Sequence, residues 1–174
     1  SVQILTGPSD GGVTVNSDGS MTYLPDSNWY GMDSFSYVVC DDDGACDSAW
    51  VVVTVLPVND APVVLDDSIT THEDVTVAIN GLANDSDPFD PLGNIDPNTL
   101  QVIGSAAHGT VSINLALAMV VYDPDPHYYG QDTIEYRVCD DGYPTPALCG
   151  SARIFVTVLP VNDPPVAIDD TSSV

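Results

Sequence analysis

The octapeptide Val53-Thr54-Val55-Leu56-Pro57-Val58-Asn59-Asp60 returns unchanged 103 positions later, as Val156-Thr157-Val158-Leu159-Pro160-Val161-Asn162-Asp163. A repeat of that length divides the chain into units of about 100 residues, a common domain size. Each copy runs a β-branched apolar strand into a proline corner and ends on an Asn-Asp pair. A further proline follows at Pro62 and at Pro164-Pro165, so each junction is expected to be extended and stiff. The period predicts a partial unit over 1–60, a complete one over 61–163, and the opening strand of a next repeat, or a donor strand, over 164–174.

Short strands with turn signals fill both units, and nothing has helical period. In the first they are expected at Val2 to Leu5, Gly12 to Asn16, Ser20 to Leu24, Ser34 to Cys40 and Ser48 to Leu56. Phe35, Tyr37 and Val39 alternate with Ser34, Ser36 and Val38, the period of a strand with one buried face. Asp18-Gly19 supplies a hairpin turn, and the matching stretch Asn114 to Ala118 lacks it, so that turn must differ. The second unit adds two opening strands, about Val63 to Ile69 and Val75 to Ile79. Tyr30-Gly31, Asp33 and Cys40 recur 99 residues on as Tyr129-Gly130, Asp132 and Cys139. The predicted class is all-β, tandem Ig-like antiparallel β-sandwiches with about five strands in the first unit and seven in the second.

Charge decides what such units can touch. The chain has 26 acidic residues, all but Glu73 and Glu135 aspartate, against Arg137 and Arg153, with no lysine and a net charge of −24. That surface repels nucleic acid and anionic membranes, and it strains a compact fold unless counter-ions bind. Short Asp side chains suit turns and tight oxygen cages. In a sandwich whose strands alternate in direction, the loop Asn84 to Asp90 and the turn Asp140-Asp141-Gly142 are expected at the end nearest Asn59-Asp60. Glu73-Asp74 and Asp132 are expected at the other, near Asn162-Asp163. Asn59, Asp60, Asp85, Asp87, Asp140 and Asp141, with Asp33 from the first unit, then offer enough oxygen for one calcium site.

The four cysteines flank matching turns, so Cys40 is expected to pair with Cys46 and Cys139 with Cys149. Loops this short would contribute about 2 kcal/mol each. Zinc is the competing reading, but no histidine completes a familiar ligand spacing. Disulfides imply an oxidising compartment. No signal peptide and no apolar run of membrane-spanning length is present, so the chain is expected to be an exported segment whose leader and anchor lie elsewhere.

The ordered series Val58-Asn59-Asp60-Ala61-Pro62-Val63, Asp66-Asp67, Glu73-Asp74, Asn84-Asp85-Ser86-Asp87, His108-Gly109-Thr110-Val111, Tyr129-Gly130 with Asp132, and Val161-Asn162-Asp163-Pro164-Pro165 resembles the bacterial cadherin-like repeats of large surface adhesins and secreted multidomain proteins. The resemblance covers the whole chain. It implies calcium at inter-repeat junctions and an extracellular, cell-surface role in adhesion or as a spacer. By this analogy the Asn-Asp pair and the Asp-Ser-Asp loop are ligands, and Glu73 serves the next junction. Cadherin linkers carry a further Asp where this chain has Pro57 and Pro160, which favours one or two ions over a three-ion cluster.

His72, His108 and His127 are dispersed and read as turn residues. Asp123-Pro124-Asp125-Pro126 reads as a structural corner, and no nucleophile or acid–base pair points to catalysis. The expected function is a non-catalytic structural or adhesive module, a stalk or fibre of neighbouring repeats or copies of itself. If the chain ends are natural, the segment 164–174 could complete another copy's sandwich by strand donation. The alternative is a carbohydrate- or ligand-binding accessory domain of a secreted enzyme, with a polysaccharide target. That reading needs an aromatic platform, and only the scattered Trp29, Trp50, Tyr128 and Tyr143 offer one.

Overall fold

A computed structural model describes residues 1–90, 93–169 and 171. The chain separates into two compact units. The first holds Ser1–Asp60 with Pro88–Gly93 and Gly142–Ala147; the second holds Ala61–Asp87, Asn94–Asp141 and Leu148–Val174. Both are all-β, as expected, with five strands described in the first and seven in the second.

In the first unit β1 (Val2–Thr6), β4 (Gly31–Cys40) and β5 (Cys46–Val55) form one antiparallel sheet in the order β1-β4-β5. β2 (Gly11–Val15) and β3 (Met21–Pro25) form a hairpin. Among the described residues Phe35 is its one buried large apolar side chain, and the valines of β5 are only half covered or exposed.

The second unit is a complete two-sheet sandwich. β6 (Asp67–His72), β12 (Cys149–Leu159), β11 (Gly130–Asp140) and β8 (Ile95–Gly104) make one sheet in that order, with β6 parallel to β12. β7 (Val77–Ile79), β10 (Met119–Pro124) and β9 (Gly109–Asn114) make the other. The side chains of β11 and β12 alternate, as the two-residue period of a pleated strand demands. Ile134, Tyr136 and Val138 point inward from β11, and Ala152, Ile154, Val156 and Val158 from β12. All but Val138 of these pack in one cluster with Ile79, Leu100, Val120 and Tyr122.

The opening strand starts later than its β-branched run suggests. Val63 makes only an isolated bridge to Ser86, and regular pairing begins at Asp67. Side chains replace the ladder before that point: Asp85 accepts the Leu65 N–H at 2.9 Å, and Asp66 accepts the Arg153 N–H at 2.8 Å. The stretch also runs close over β12, where a Cβ on Gly150 would fall 2.7 Å from the Pro62 carbonyl oxygen. No strand is present over 161–169. Residues 170 and 172–174 of the expected terminal strand lie outside the described residues.

The β9–β10 turn lacks Asp-Gly, and Ala118 adopts the left-handed conformation (φ 52°) where Gly19 (φ 86°) does so in the first unit. An L-residue with a Cβ is strained there by about 1 kcal/mol. Ala118→Gly is therefore expected to stabilise the second unit by about that amount, read as a higher urea midpoint with unchanged slope.

Candidate metal centre

The inward row of β11 begins and ends on an aspartate, Asp132 and Asp140, with Ile134, Tyr136 and Val138 between them. At about 3.3 Å per residue the two carboxylates mark ends of the sandwich about 26 Å apart. The strand thus carries acid at both edges of its own core.

At the Asp140 end, Cys139 and Cys149 are the last paired residues of β11 and β12, and they are bonded. Cys40–Cys46 closes β4–β5 in the same way, and no free cysteine remains among the described residues. Asp140, 2% exposed, accepts the Leu148 N–H on both carboxylate oxygens, at 3.1 and 3.0 Å. Asp41 holds Ala45 in the corresponding turn of the first unit. An Asp87 carboxylate oxygen lies within 4.8 Å of one from Asp140, and both Asp87 oxygens are shielded from solvent. Asp141, next in sequence, is exposed, and its N–H donates to the Asn94 carbonyl at 2.9 Å.

Asp85 belongs to the same end but is tied to the core. The hydroxyl of Tyr136 donates to the Gly81 carbonyl at 2.8 Å and lies 3.1 and 3.2 Å from carboxylate oxygens of Asp85 and Asp67. Burial raises the pKa of both carboxyls above the usual carboxylate range, and at Asp67 its acidic neighbours Asp85 and Asp66 add to the rise. Burial pushes the Tyr136 phenol up as well, followed by the charges of Asp85 and Asp67. Tyr136→Phe removes a donor shared by these acceptors. A loss of about 1–2 kcal/mol is expected in urea unfolding.

The opposite end gathers Glu73, Asp74, His127 and Asp163. Glu73, 4% exposed, accepts the Val161 N–H. Asp74 accepts the His127 N–H at 3.1 Å, and the His127 ring Nδ1 lies 3.0 Å from Asp163 and 3.8 Å from Asp74. The histidine was missed from sequence because it reads as a turn residue. It is one: His127 (φ 61°) and Asn28 (φ 58°) hold the same left-handed position 99 residues apart.

Asp33 and Asp132, expected from the sequence as metal ligands, have their oxygens occupied by hydrogen bonds within their own units. Asp132 accepts the N–H groups of Ala107, His108 and Thr133 at 2.8–2.9 Å and the Tyr122 hydroxyl at 3.1 Å. Asp33 does the same with Ser9, Asp10, Ser34 and Tyr23. Burial pushes both carboxyls up, but the hydrogen bonds outweigh it and hold them below the usual range. These carboxylates lock loops inside their own units. The signal was a Tyr ten residues before each Asp, facing a glycine: a Cβ on Gly109 would fall 2.6 Å from the Tyr122 ring. In the connector, the Asn59 amide donates to the Asp60 carbonyl at 3.5 Å, as Asn162 does to Asp163 at 3.4 Å. The Asp60 N–H rests on Asp90, which sequence reasoning did not single out.

The bacterial Ig domain family matches residues 1–54 and again 59–149. The chain belongs to the bacterial Ig domain family. No curated protein matches it significantly. Among solved structures, this bacterial Ig chain resembles Drosophila N-cadherin EC1-4, with 14% identity, a TM-score of 0.60, and coverage of 90% of this chain and 41% of that one. Mouse cadherin-23 EC22-24 gives 22% identity, a TM-score of 0.53, and coverage of 92% and 52%. The bacterial Ig chain spans less than half of the first and about half of the second, and at these identities the likeness is one of fold. Among the described residues no helix is long and apolar enough to cross a membrane.

Proposed function

We propose that this chain is a non-catalytic extracellular spacer, a segment of a stalk or fibre whose acidic ends are neutralised and stiffened by calcium. The observation that carries this reading is the Asp87–Asp140 pair: one carboxylate almost wholly buried, the other with shielded oxygens, within 4.8 Å. The two arginines are engaged elsewhere, Arg137 with Gln101 and Arg153 with Glu135, and there is no lysine. Two buried charges of one sign repel strongly at low dielectric, and a hard dication bound by oxygen relieves that repulsion.

Asp85 and Asp141 would complete the protein's share of this set, and on the sequence repeat alone Asn59 and Asp60 are proposed to join it. Glu73, Asp74, Asn162 and Asp163 form the corresponding set at the other end. Disulfides in both units fit an oxidising, extracellular setting. Assembly with other copies is proposed to use the segment at 164–169: Val166 and Ile168 are 87% and 84% exposed, and the second edge of β5 has no strand among the described residues. In the second unit the equivalent edge, on β12, is filled by β6.

Calorimetric titration tests the calcium reading. Saturable calcium binding, weakened at least about tenfold by Asp87→Asn, is expected, since each 1.4 kcal/mol of lost ligand energy is a factor of ten. Absence of binding at millimolar calcium would refute it.

A further inference from the structure

The two ends of the second unit differ in donor chemistry. At the Asp87–Asp140 end the side chains offer only oxygen. At the other end a histidine nitrogen stands among carboxylates: one ligand atom each from Glu73, His127 and Asp163 lies within 4.8 Å of the others. Calcium takes oxygen, whereas imidazole with carboxylate is the donor set of zinc and its first-row neighbours. We infer that Glu73, His127 and Asp163 form a site for a borderline transition dication, zinc in the first instance, distinct from any calcium site at the opposite end.

Two further observations support this. Glu73 is a carboxylate more than nine-tenths buried whose one identified hydrogen bond comes from a backbone amide, that of Val161. No arginine is placed to neutralise it, because both are held on the outer sheet face by Gln101 and Glu135. A cation bound here would offset this buried charge and would meet a nitrogen ligand. Second, the approach is open: the His127 and Asp163 side chains are 70% and 49% exposed, which leaves room for water in the remaining positions. Tetrahedral zinc at bond lengths of about 2.0–2.2 Å sets ligand atoms about 3.3–3.5 Å apart. The 3.0 Å separation of His127 Nδ1 and Asp163 needs only a small outward turn of two exposed side chains to meet this. Asp74 holds the histidine in place through its backbone N–H, and its carboxylate lies 3.8 Å from the same Nδ1.

The first unit supplies the control. Asn28 occupies the position of His127 with the same backbone conformation, so His127→Asn keeps a residue that tolerates the left-handed region while removing the nitrogen. The inference competes with the calcium reading for Glu73 and Asp163 at this end, and it shares no residue with the Asp87–Asp140 pair.

The test uses the full chain in calcium buffer, with cobalt(II) as the spectroscopic probe and zinc as competitor. One equivalent of cobalt is expected to develop visible d–d absorption, to be displaced by stoichiometric zinc, and to resist a hundredfold excess of calcium. His127→Asn should weaken zinc binding at least about tenfold, by loss of a ligand, and leave the Asp87-dependent calcium binding unchanged. In the wild-type NMR spectrum the His127 ring resonances should be the histidine signals that zinc shifts. Displacement of cobalt by calcium, equal zinc affinity of His127→Asn and wild type, or zinc shifts at His72 or His108 instead would overturn it. Absence of calcium binding to the wild-type chain with zinc binding intact would refute the calcium reading and leave this inference standing.

Discussion

Replacing Asp132 by alanine is expected to lower the unfolding free energy of the second unit by about 3–5 kcal/mol, as large as a major core truncation. The side chain is almost fully buried and holds three backbone N–H groups and the hydroxyl of Tyr122, itself wholly buried. Alanine leaves these donors behind without their acceptor, and buried donors cost more unmade than they return when made. Asp132→Asn keeps one acceptor oxygen but turns an N–H₂ group toward N–H donors, so it should recover only part of the loss. The equivalent change, Asp33→Ala, is expected to cost less, because Tyr23 is only half-buried and its surroundings admit water.

The pH dependence follows from the direction of the shift. Asp132 has a native pKa below the unfolded value near 4. The folded state therefore binds fewer protons in that window, and the contribution is fully present above about pH 4 and lost as pH falls through the lowered native value. In Asp132→Asn this part of the acid transition should vanish. Both tryptophans, Trp29 and Trp50, lie in the first unit, so their fluorescence follows that unit while far-UV dichroism follows both. A loss confined to the dichroism-only transition would place the effect in the second unit.

The all-β class and the two sets of strands were legible because the repeated octapeptide fixes equivalent strands; the inward face of β4 was not, since Ser36 is buried and Val39 is exposed. The disulfides were legible from Cys40, Cys46, Cys139 and Cys149 flanking matched turns. The roles of individual acids were less so. In sequence Asp132 and Asp140 are both aspartates beside turns; what separates them is which backbone N–H groups fold back onto each, and only the register of β8 to β12 decides that. His127 stayed hidden for a related reason. Its backbone position matches Asn28, which makes it a turn residue, while its ring meets Asp163 through a contact spanning 36 residues. The late start of β6 was also beyond local propensity, since the Asp85 and Asp66 side chains replace ladder bonds at residues a β-branched run would otherwise pair.

Calcium is expected to produce the second large effect. At a concentration a hundredfold above its dissociation constant, a ligand bound only by the folded state adds about 2.7 kcal/mol. For a unit of this size that corresponds to a rise of about 10 °C or more in melting temperature. Magnesium should give much less, because it sheds water reluctantly and demands a tighter octahedron than carboxylates fixed on β11 and the Asp85–Asp87 loop provide. Tyr136→Phe should retain most of the calcium response while lowering the baseline, since the phenol supports Asp85 without being a strong metal ligand.

The decisive measurement is a far-UV melt of the full chain in chelator, in magnesium and in calcium, with Asp87→Asn alongside. A calcium-specific rise of about 10 °C that shrinks to a small residue in Asp87→Asn is the predicted result. Coincident melts in all three conditions, or a calcium rise indifferent to Asp87→Asn, would contradict the account that the buried Asp87–Asp140 pair is built to hold a cation.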